Sequence, residues 1–320
     1  MSSSSEWQLV VITGASKGFG LAVAESLARQ SLAPTHFRLA GRDAAGLATA
    51  KAAILGGGRS EASTVVEEVV SDLSDMGGLK GAAELLFSVP AGRSYFKVTF
   101  VNNHGSLGPL ANIGSFEGDN LSEMALAFNV NVSSCCYLTT DLMQRCQPGK
   151  SYPSAGIRKV SVVNVSSLAA IQPFGPWGIY CAGKAAREMF HRCLSEELAK
   201  RDAAELPQVR VLNYAPGPLD TNMQREIREG AAVDKETQTF YRQLKEEGKL
   251  VSPAESASKL VRIIMFEKYK CGEHLDYYDA TSADTIEGLT TCCSCESCTC
   301  GVDCACKSSK TPQCSSCANR

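Results

Sequence analysis

The sequence has almost no net charge: 32 lysines and arginines against 34 aspartates and glutamates leave a formal −2 at pH 7. Such a balance gives no reason to expect a nucleic-acid or membrane-surface partner. No run approaches the roughly 18 apolar residues that a membrane-spanning helix needs. The opening MSSSSEWQLVVITG holds neither a basic segment nor an apolar one adequate for a secretory signal. A soluble, cytoplasmic protein is therefore the expectation. Residues 292–317 lack any aromatic residue or histidine, so they cannot build a hydrophobic core.

That stretch is where cysteine collects. Of 15 cysteines, six (Cys135, Cys136, Cys146, Cys181, Cys193 and Cys271) are scattered, and these read as buried thiols. The remainder are Cys292, Cys293, Cys295, Cys298, Cys300, Cys304, Cys306, Cys314 and Cys317. Repeated C-x-C and C-x2-C spacings let neighbouring thiolates converge on soft d¹⁰ metals such as Zn²⁺, Cd²⁺ or Cu⁺. Disulfides would suit an exported domain, but the odd count leaves one thiol unpaired. A redox-sensitive, unmetallated tail is the other reading. The chain thus divides into a body, residues 1–280, and a cysteine-rich tail without regular structure, residues 281–320.

In the body, strands and helices alternate. Residues 9–12 form an apolar strand that runs into Gly14, Ala15, Ser16, Lys17, Gly18, Phe19 and Gly20, and a helix follows. Glycines between a strand and a helix permit a tight turn and bring backbone N–H groups close to a pyrophosphate. An ordinary strand–helix turn would look similar. The second strand, residues 36–40, ends in Gly41-Arg42-Asp43. An arginine there accommodates a ribose 2′-phosphate where an acid would bind the 2′-hydroxyl, so Arg42 with Lys17 argues for NADPH over NADH. Taken singly, either is a solvated surface charge. The third strand, 64–70, leads into Ser71 and Asp72, an acid placed for an adenine contact or for a helix cap. A helix spans about 79–87, and a fourth strand, 98–101, runs into Asn102. One long helix, about 121–143, carries Asn129 and Asn131, the latter either structural or holding a water. A strand at 209–214 precedes Pro216, Gly217 and Pro218. Residues 222–250 read as a substrate-covering helical segment or a surface helix pair. A helix at 252–268 and a strand at 274–278 close the body. The pattern indicates one α/β domain built on a doubly wound parallel sheet.

Residues 159–184 carry the chemistry. A β-branched run, Val160, Val162, Val163 and Val165, breaks at Ser166 and Ser167. After a Pro- and Gly-rich loop, Tyr180 and Lys184 stand four apart on one helix face. A serine at a strand end, with a tyrosine and a lysine on the next helix, makes a proton-donating site for a carbonyl. A free tyrosine has a pKa of about 10, and an ammonium one turn away is expected to lower it.

Together TGASKGFG, NNHGSLG, VVNVSSLAAIQPF, YCAGKAAR, NYAPGPLDTNM and HLDYYD resemble the short-chain dehydrogenase/reductase family, and more narrowly its pterin-reducing members. The resemblance covers about residues 8–280. It implies a Rossmann-like fold, a catalytic Ser167, Tyr180 and Lys184, and Asn131 as the accompanying asparagine. It implies NADPH contacts from the glycine loop, Arg42, Asp43, Ser71, Asp72, Asn102 and Lys184, and from Leu219, Asp220, Thr221, Asn222, Met223 and Gln224. Ser167, Leu168, Tyr180, Gly217 and above all Asp276 would hold the pterin. The implied reaction is reduction of 6-pyruvoyl-tetrahydropterin or sepiapterin carbonyls toward tetrahydrobiopterin. A homodimer through helices 121–143 and 179–200 is implied as well. The tail resembles the nine-cysteine, three-metal domain of metallothioneins. Two other readings remain open, a reductase of a different carbonyl and a metal-binding or redox-sensing protein on a reductase scaffold. One departure stands out: the family usually places alanine where His104 stands.

Overall fold

The computed structural model describes residues 6–57, 61–116, 120–202, 207–230, 233 and 235–279. The tail cysteines from Cys292 to Cys317 lie outside them. Residues up to Tyr278 belong to one compact unit. Its elements are β1 (Trp7–Thr13), α1 (Gly18–Gln30), β2 (Thr35–Gly41), α2 (Ala44–Gly56), β3 (Thr64–Val70) and α3 (Leu79–Phe87). There follow β4 (Tyr95–Asn102), α4 (Asn120–Phe128), α5 (Ser134–Arg145), the single turn α6 (Ser151–Ser154), β5 (Lys159–Val165) and α7 (Gly178–Leu198). The remainder are β6 (Gln208–Ala215), α8 (Asn222–Glu229), α9 (Lys235–Glu246), α10 (Pro253–Phe266) and β7 (His274–Asp276).

All seven strands pair in parallel in the order β3-β2-β1-β4-β5-β6-β7. Helices on both faces explain why β1 and β2 are buried at every position, whereas edge strand β3 mixes buried Val66 and Val69 with exposed positions. Winding reverses between β1 and β4, which opens a crevice at the strand C-termini, where doubly wound sheets take their ligands. The main core packs Leu9, Val11, Phe87, Phe100, Leu138, Leu142 and Val162 between sheet and helices. No helix of the described residues is long and apolar enough to cross a membrane.

Three expectations need correction. The long helix at 121–143 is two helices joined by a π-helical turn, Asn129–Ser133. The last strand stops at Asp276, because Tyr277 and Tyr278 turn away from the sheet. Of the six body cysteines, all free thiols, only Cys135 and Cys146 are buried, and Cys193 is exposed.

Beneath the crevice runs a row of polar residues in register across four strands: Asn102, Asn164, Asn213 and His274. Helix α7 lies over it and turns Tyr180, Lys184, Arg187, Glu188 and His191 inward. Arg187 has 0% exposure. Its Nε donates to Asn164 Oδ1 at 2.7 Å, Nη1 to the His104 carbonyl at 2.9 Å and Nη2 to the Asn102 carbonyl at 2.7 Å. Asn164 in turn donates to Asn213 Oδ1 at 2.9 Å. His191 donates Nδ1–H to the Arg187 carbonyl at 2.7 Å, and burial lowers its pKa to about 4.

Replacing Arg187 by methionine strands three acceptors away from water. The expected loss is about 3–5 kcal/mol, which at roughly 3 °C per kcal/mol lowers Tm by about 10 °C. Thermal unfolding followed by circular dichroism measures it, and an unchanged Tm would mean that the row holds without its arginine.

Candidate active site

A cleft of about 900 Å³ opens at the strand C-termini, reaching from Arg42 and Asp72 past the glycine loop to Lys184 and Tyr180. That size suits a dinucleotide-scale ligand. The loop is built for close approach. Gly14 and Gly18 hold positive φ angles of 65° and 58°. A Cβ on Gly20 would sit 2.3 Å from the Gly14 carbonyl oxygen, so only glycine fits there. Lys17 gives α1 no side-chain cap, which leaves first-turn N–H groups for an anion. The residues present therefore fit a dinucleotide phosphate.

Of the residues assigned to the cofactor from sequence, Gly14, Ser16, Lys17, Gly18, Phe19, Arg42, Asp43, Ser71, Asp72 and Lys184 line this cleft. So do Leu219, Asp220, Thr221, Asn222 and Met223 from the loop after β6. Arg42 and Asp72 pair at 3.9 Å with mostly solvated side chains. Asp72 also accepts from the Ser74 hydroxyl and backbone, which lowers its pKa. Asp43 caps α2 through the Gly46 N–H at 3.0 Å.

Four of those assigned residues do not reach the cleft. Ala15 is buried with its N–H on the Ala40 carbonyl, and Gly20 packs against Gly14. Gln224 is buried at 5% exposure, its Oε1 taken by Arg228. Asn102 points into the sheet–helix interface, where Nδ2 donates to the Cys135 carbonyl at 3.1 Å. Asn131 likewise commits its side chain, with Oδ1 accepting from Ser106 N at 3.0 Å and Nδ2 donating to Ser106 O at 2.8 Å. Both bonds tie Asn131 to Ser106 on the cleft wall.

Tyr180 and Lys184 line the end of the cleft, where Ser166 rather than Ser167 forms the wall. Ser167 caps a 3₁₀ turn, accepting from Ala169 N at 3.1 Å, and its hydroxyl near Tyr180 favours the phenolate. Lys184 Nζ donates to the Val165 carbonyl at 2.8 Å and lies 5.7 Å from the Tyr180 ring centroid. The expectation that Lys184 depresses the tyrosine pKa is not met in the protein alone. Burial pushes the Tyr180 phenol up to about 12, against the lowering effects of Ser167 and Arg187. Burial, reinforced by the Arg187 charge, holds Lys184 well below the ordinary lysine value. Tyr180 therefore keeps its proton at neutral pH, in the form that can donate.

A second apolar cluster, with Leu107, Trp177, Tyr180, Ile227 and Val233 at its centre, covers the tyrosine. Trp177 meets Tyr180 edge-on at 6.2 Å and stacks on Phe174 at 5.4 Å and on Tyr241 of α9 at 5.8 Å. The segment at 222–250 is thus a helix pair, α8 and α9, laid over Tyr180. Ser167, Leu168, Gly217 and Asp276 do not line the cleft. Asp276 ends β7 opposite Ala215, and its Oδ1 accepts from Tyr278 N at 2.9 Å. Gly217, at φ 79°, packs against Val251 and Tyr277.

His104 does line the cleft, and both ring nitrogens are bonded, Nδ1 to Thr13 Oγ1 at 2.9 Å and Nε2 to Ser134 Oγ at 2.8 Å. Burial holds it well below the ordinary histidine pKa, so it is neutral. It ties the end of β1 to the start of α5. Sequence reasoning missed Arg187 and Glu188. Their signal was two charged residues three and four places past Lys184, on the helix face otherwise turned to the core. Among the described residues no group of three or more potential metal ligands is found.

A profile described as short chain dehydrogenase matches residues 8–232. Sepiapterin reductase of Rattus norvegicus is 37% identical over 274 residues, covering 84% of this chain and 95% of the relative. That of Meriones unguiculatus is 36% identical over 271 residues, with the same coverage of 84% and 95%. Among solved structures, a short chain dehydrogenase/reductase from Saccharomyces cerevisiae superposes with a TM-score of 0.66 at 24% identity, covering 87% of this chain and 98% of that one, a likeness of fold. With its glycine loop, switch-point cleft and Ser167–Tyr180–Lys184 cluster in place, the chain belongs to the short-chain dehydrogenase/reductase family of oxidoreductases.

Proposed function

We propose that the chain reduces a pterin side-chain carbonyl, of the sepiapterin or 6-pyruvoyl-tetrahydropterin kind, with NADPH, in the cytoplasm and as a homodimer. The observation that carries the reading is a protonated, buried Tyr180, with Ser167 nearby, at one end of a cleft whose other end presents Arg42. Arg42 and Lys17 are placed to meet a 2′-phosphate. When bound, the nicotinamide supplies hydride to the carbonyl carbon. Ser167 donates a hydrogen bond that orients the carbonyl oxygen. Tyr180 gives that oxygen its proton, so that C=O becomes CH–OH. Lys184 would hold the nicotinamide ribose, and in ammonium form it steadies the phenolate left behind. The aromatic wall of Phe174, Trp177 and Tyr241 suits a flat ring system. Asp276 would accept two N–H donors from an amino-pyrimidine edge. Exposed Leu121, Tyr137 and Met189 on α4, α5 and α7 support the paired state.

General acid catalysis contributes about 10²- to 10⁴-fold, so Tyr180→Phe should lower sepiapterin-dependent NADPH oxidation by at least about 100-fold. NADPH binding, read by fluorescence, should persist. Turnover retained in that variant would sink the mechanism. Asp276→Ala removes a charge-assisted pair worth roughly 1.5–3 kcal/mol and should raise the pterin KM by about 10- to 100-fold. KM for a simple aromatic ketone should stay as it was. An unmoved pterin KM would leave a reductase of another carbonyl.

For residues 281–320 we propose a thiolate cluster of a soft d¹⁰ metal, on the density and spacing of the nine cysteines. Native mass spectrometry of the full chain with Zn²⁺ should show uptake of about three ions, lost on truncation at residue 280. Equal spectra for both forms would remove the cluster in favour of a redox tail.

A further inference from the structure

Glu188 is a carboxylate at 3% exposure that the proposed chemistry leaves unused. Three elements converge on it. Its Oε2 accepts from the Ser166 hydroxyl at the end of β5. His274, opening β7, donates Nδ1–H to Oε2 at 2.8 Å and to Oε1 at 3.0 Å, a carboxylate being able only to accept. Glu188 itself lies one helical turn beyond Lys184 on α7. We propose that Ser166, Glu188 and His274 form a brace for proton donation, with Glu188 and His274 as positioning residues. The proposal rests on the reading of Tyr180 as the proton donor.

The brace acts through geometry first. Ser166 and Ser167 are adjacent residues beyond the end of β5, and both side chains meet residues of α7, Glu188 and Tyr180. Ser166 is pinned twice, by its hydroxyl on Glu188 and by its N–H on the Tyr214 carbonyl at 2.8 Å. Pinning Ser166 to α7 fixes the backbone from which Ser167 presents its hydroxyl to Tyr180. His274 also stands two residues before Asp276. One carboxylate therefore joins the strand that would anchor the substrate to the helix that carries the proton donor.

Charge is the second element. The groups facing Lys184 are Arg187 and Glu188 from α7, Cys135 from α5, and His104 from the loop after β4. Glu188 is the carboxylate among them. It favours the Lys184 ammonium, while burial and Arg187 oppose it.

The test is steady-state kinetics with NADPH and sepiapterin, or with a vicinal aromatic diketone if the pterin is not turned over. Glu188→Ala should lower kcat by roughly 10- to 100-fold through misplacement of Ser167, with KM for NADPH changed by less than about 3-fold. Glu188→Gln keeps the shape, accepts from Ser166 and can donate to His274, so it should fold and retain most activity near neutrality. Without its counter-charge, Lys184 loses its proton at lower pH, and the alkaline limb of kcat should move to lower pH. Should the alanine variant fail to fold, the glutamine profile decides. A wild-type kcat and pH profile in Glu188→Gln, with a fall in Tm alone, would overturn the brace. An active Tyr180→Phe enzyme would instead overturn the proton donor, so the two failures read out separately.

Discussion

A single buried guanidinium holds the reactive end of this molecule together. Arg187 reaches from α7 to the last residue of β4, to the loop beyond it and to the side chain of β5, and no water reaches it. A planar cation with fixed donor directions can satisfy three acceptors at once and is less costly to strip of water than an ammonium. Its directions set the rotation of α7 about its own axis. Because Tyr180 and Lys184 lie on the same face, that rotation places them at the strand ends. Asn164 and Asn213 carry the bonding one strand further, so the sheet beneath the site is polar where most parallel sheets are apolar.

The cleft and Tyr180 are covered in different ways. The dinucleotide side is backbone, glycine and short polar side chains, shaped by β1, α1 and the loops after β2, β4 and β6. The other side is aromatic, and one of its layers comes from α9, a helix with no buried residue. A helix so lightly held belongs to the low-stability end of a structure. The protein thus offers a built surface to the cofactor and an adjustable one to whatever sits above Tyr180.

Much of this was legible in the residues. Strand β5 announced itself through its β-branched run, and the glycine loop through its spacing, because local geometry dictates both. Residues 219–224 were named from the family resemblance, and 219–223 line the cleft while Gln224 is buried. Asn102 was misread: a polar residue at a strand end looks the same whether it faces a ligand or a helix, and only the packing of Cys135 against it decides. Tyr180 shows the same limit in energetic form. Sequence supplies the neighbouring lysine but not the depth of burial, and burial is the larger effect on the phenol. Arg187 escaped notice because an arginine in a helix normally reads as solvated.

The π-helical turn between α4 and α5 sets a limit on length. Ala127, Asn131, Cys135 and Thr139 are all buried, four residues apart. In a regular helix each such step drifts by about 40°, so the last would stand about 120° from the first. The wider turn at Asn129–Ser133 absorbs part of that drift. Deleting one residue there would restore a regular helix at the cost of swinging everything before it by about 100°. Ala127 would leave Gly108, and Asn131 would leave Ser106. Substitutions along this segment are constrained position by position; its residue count is constrained as a whole.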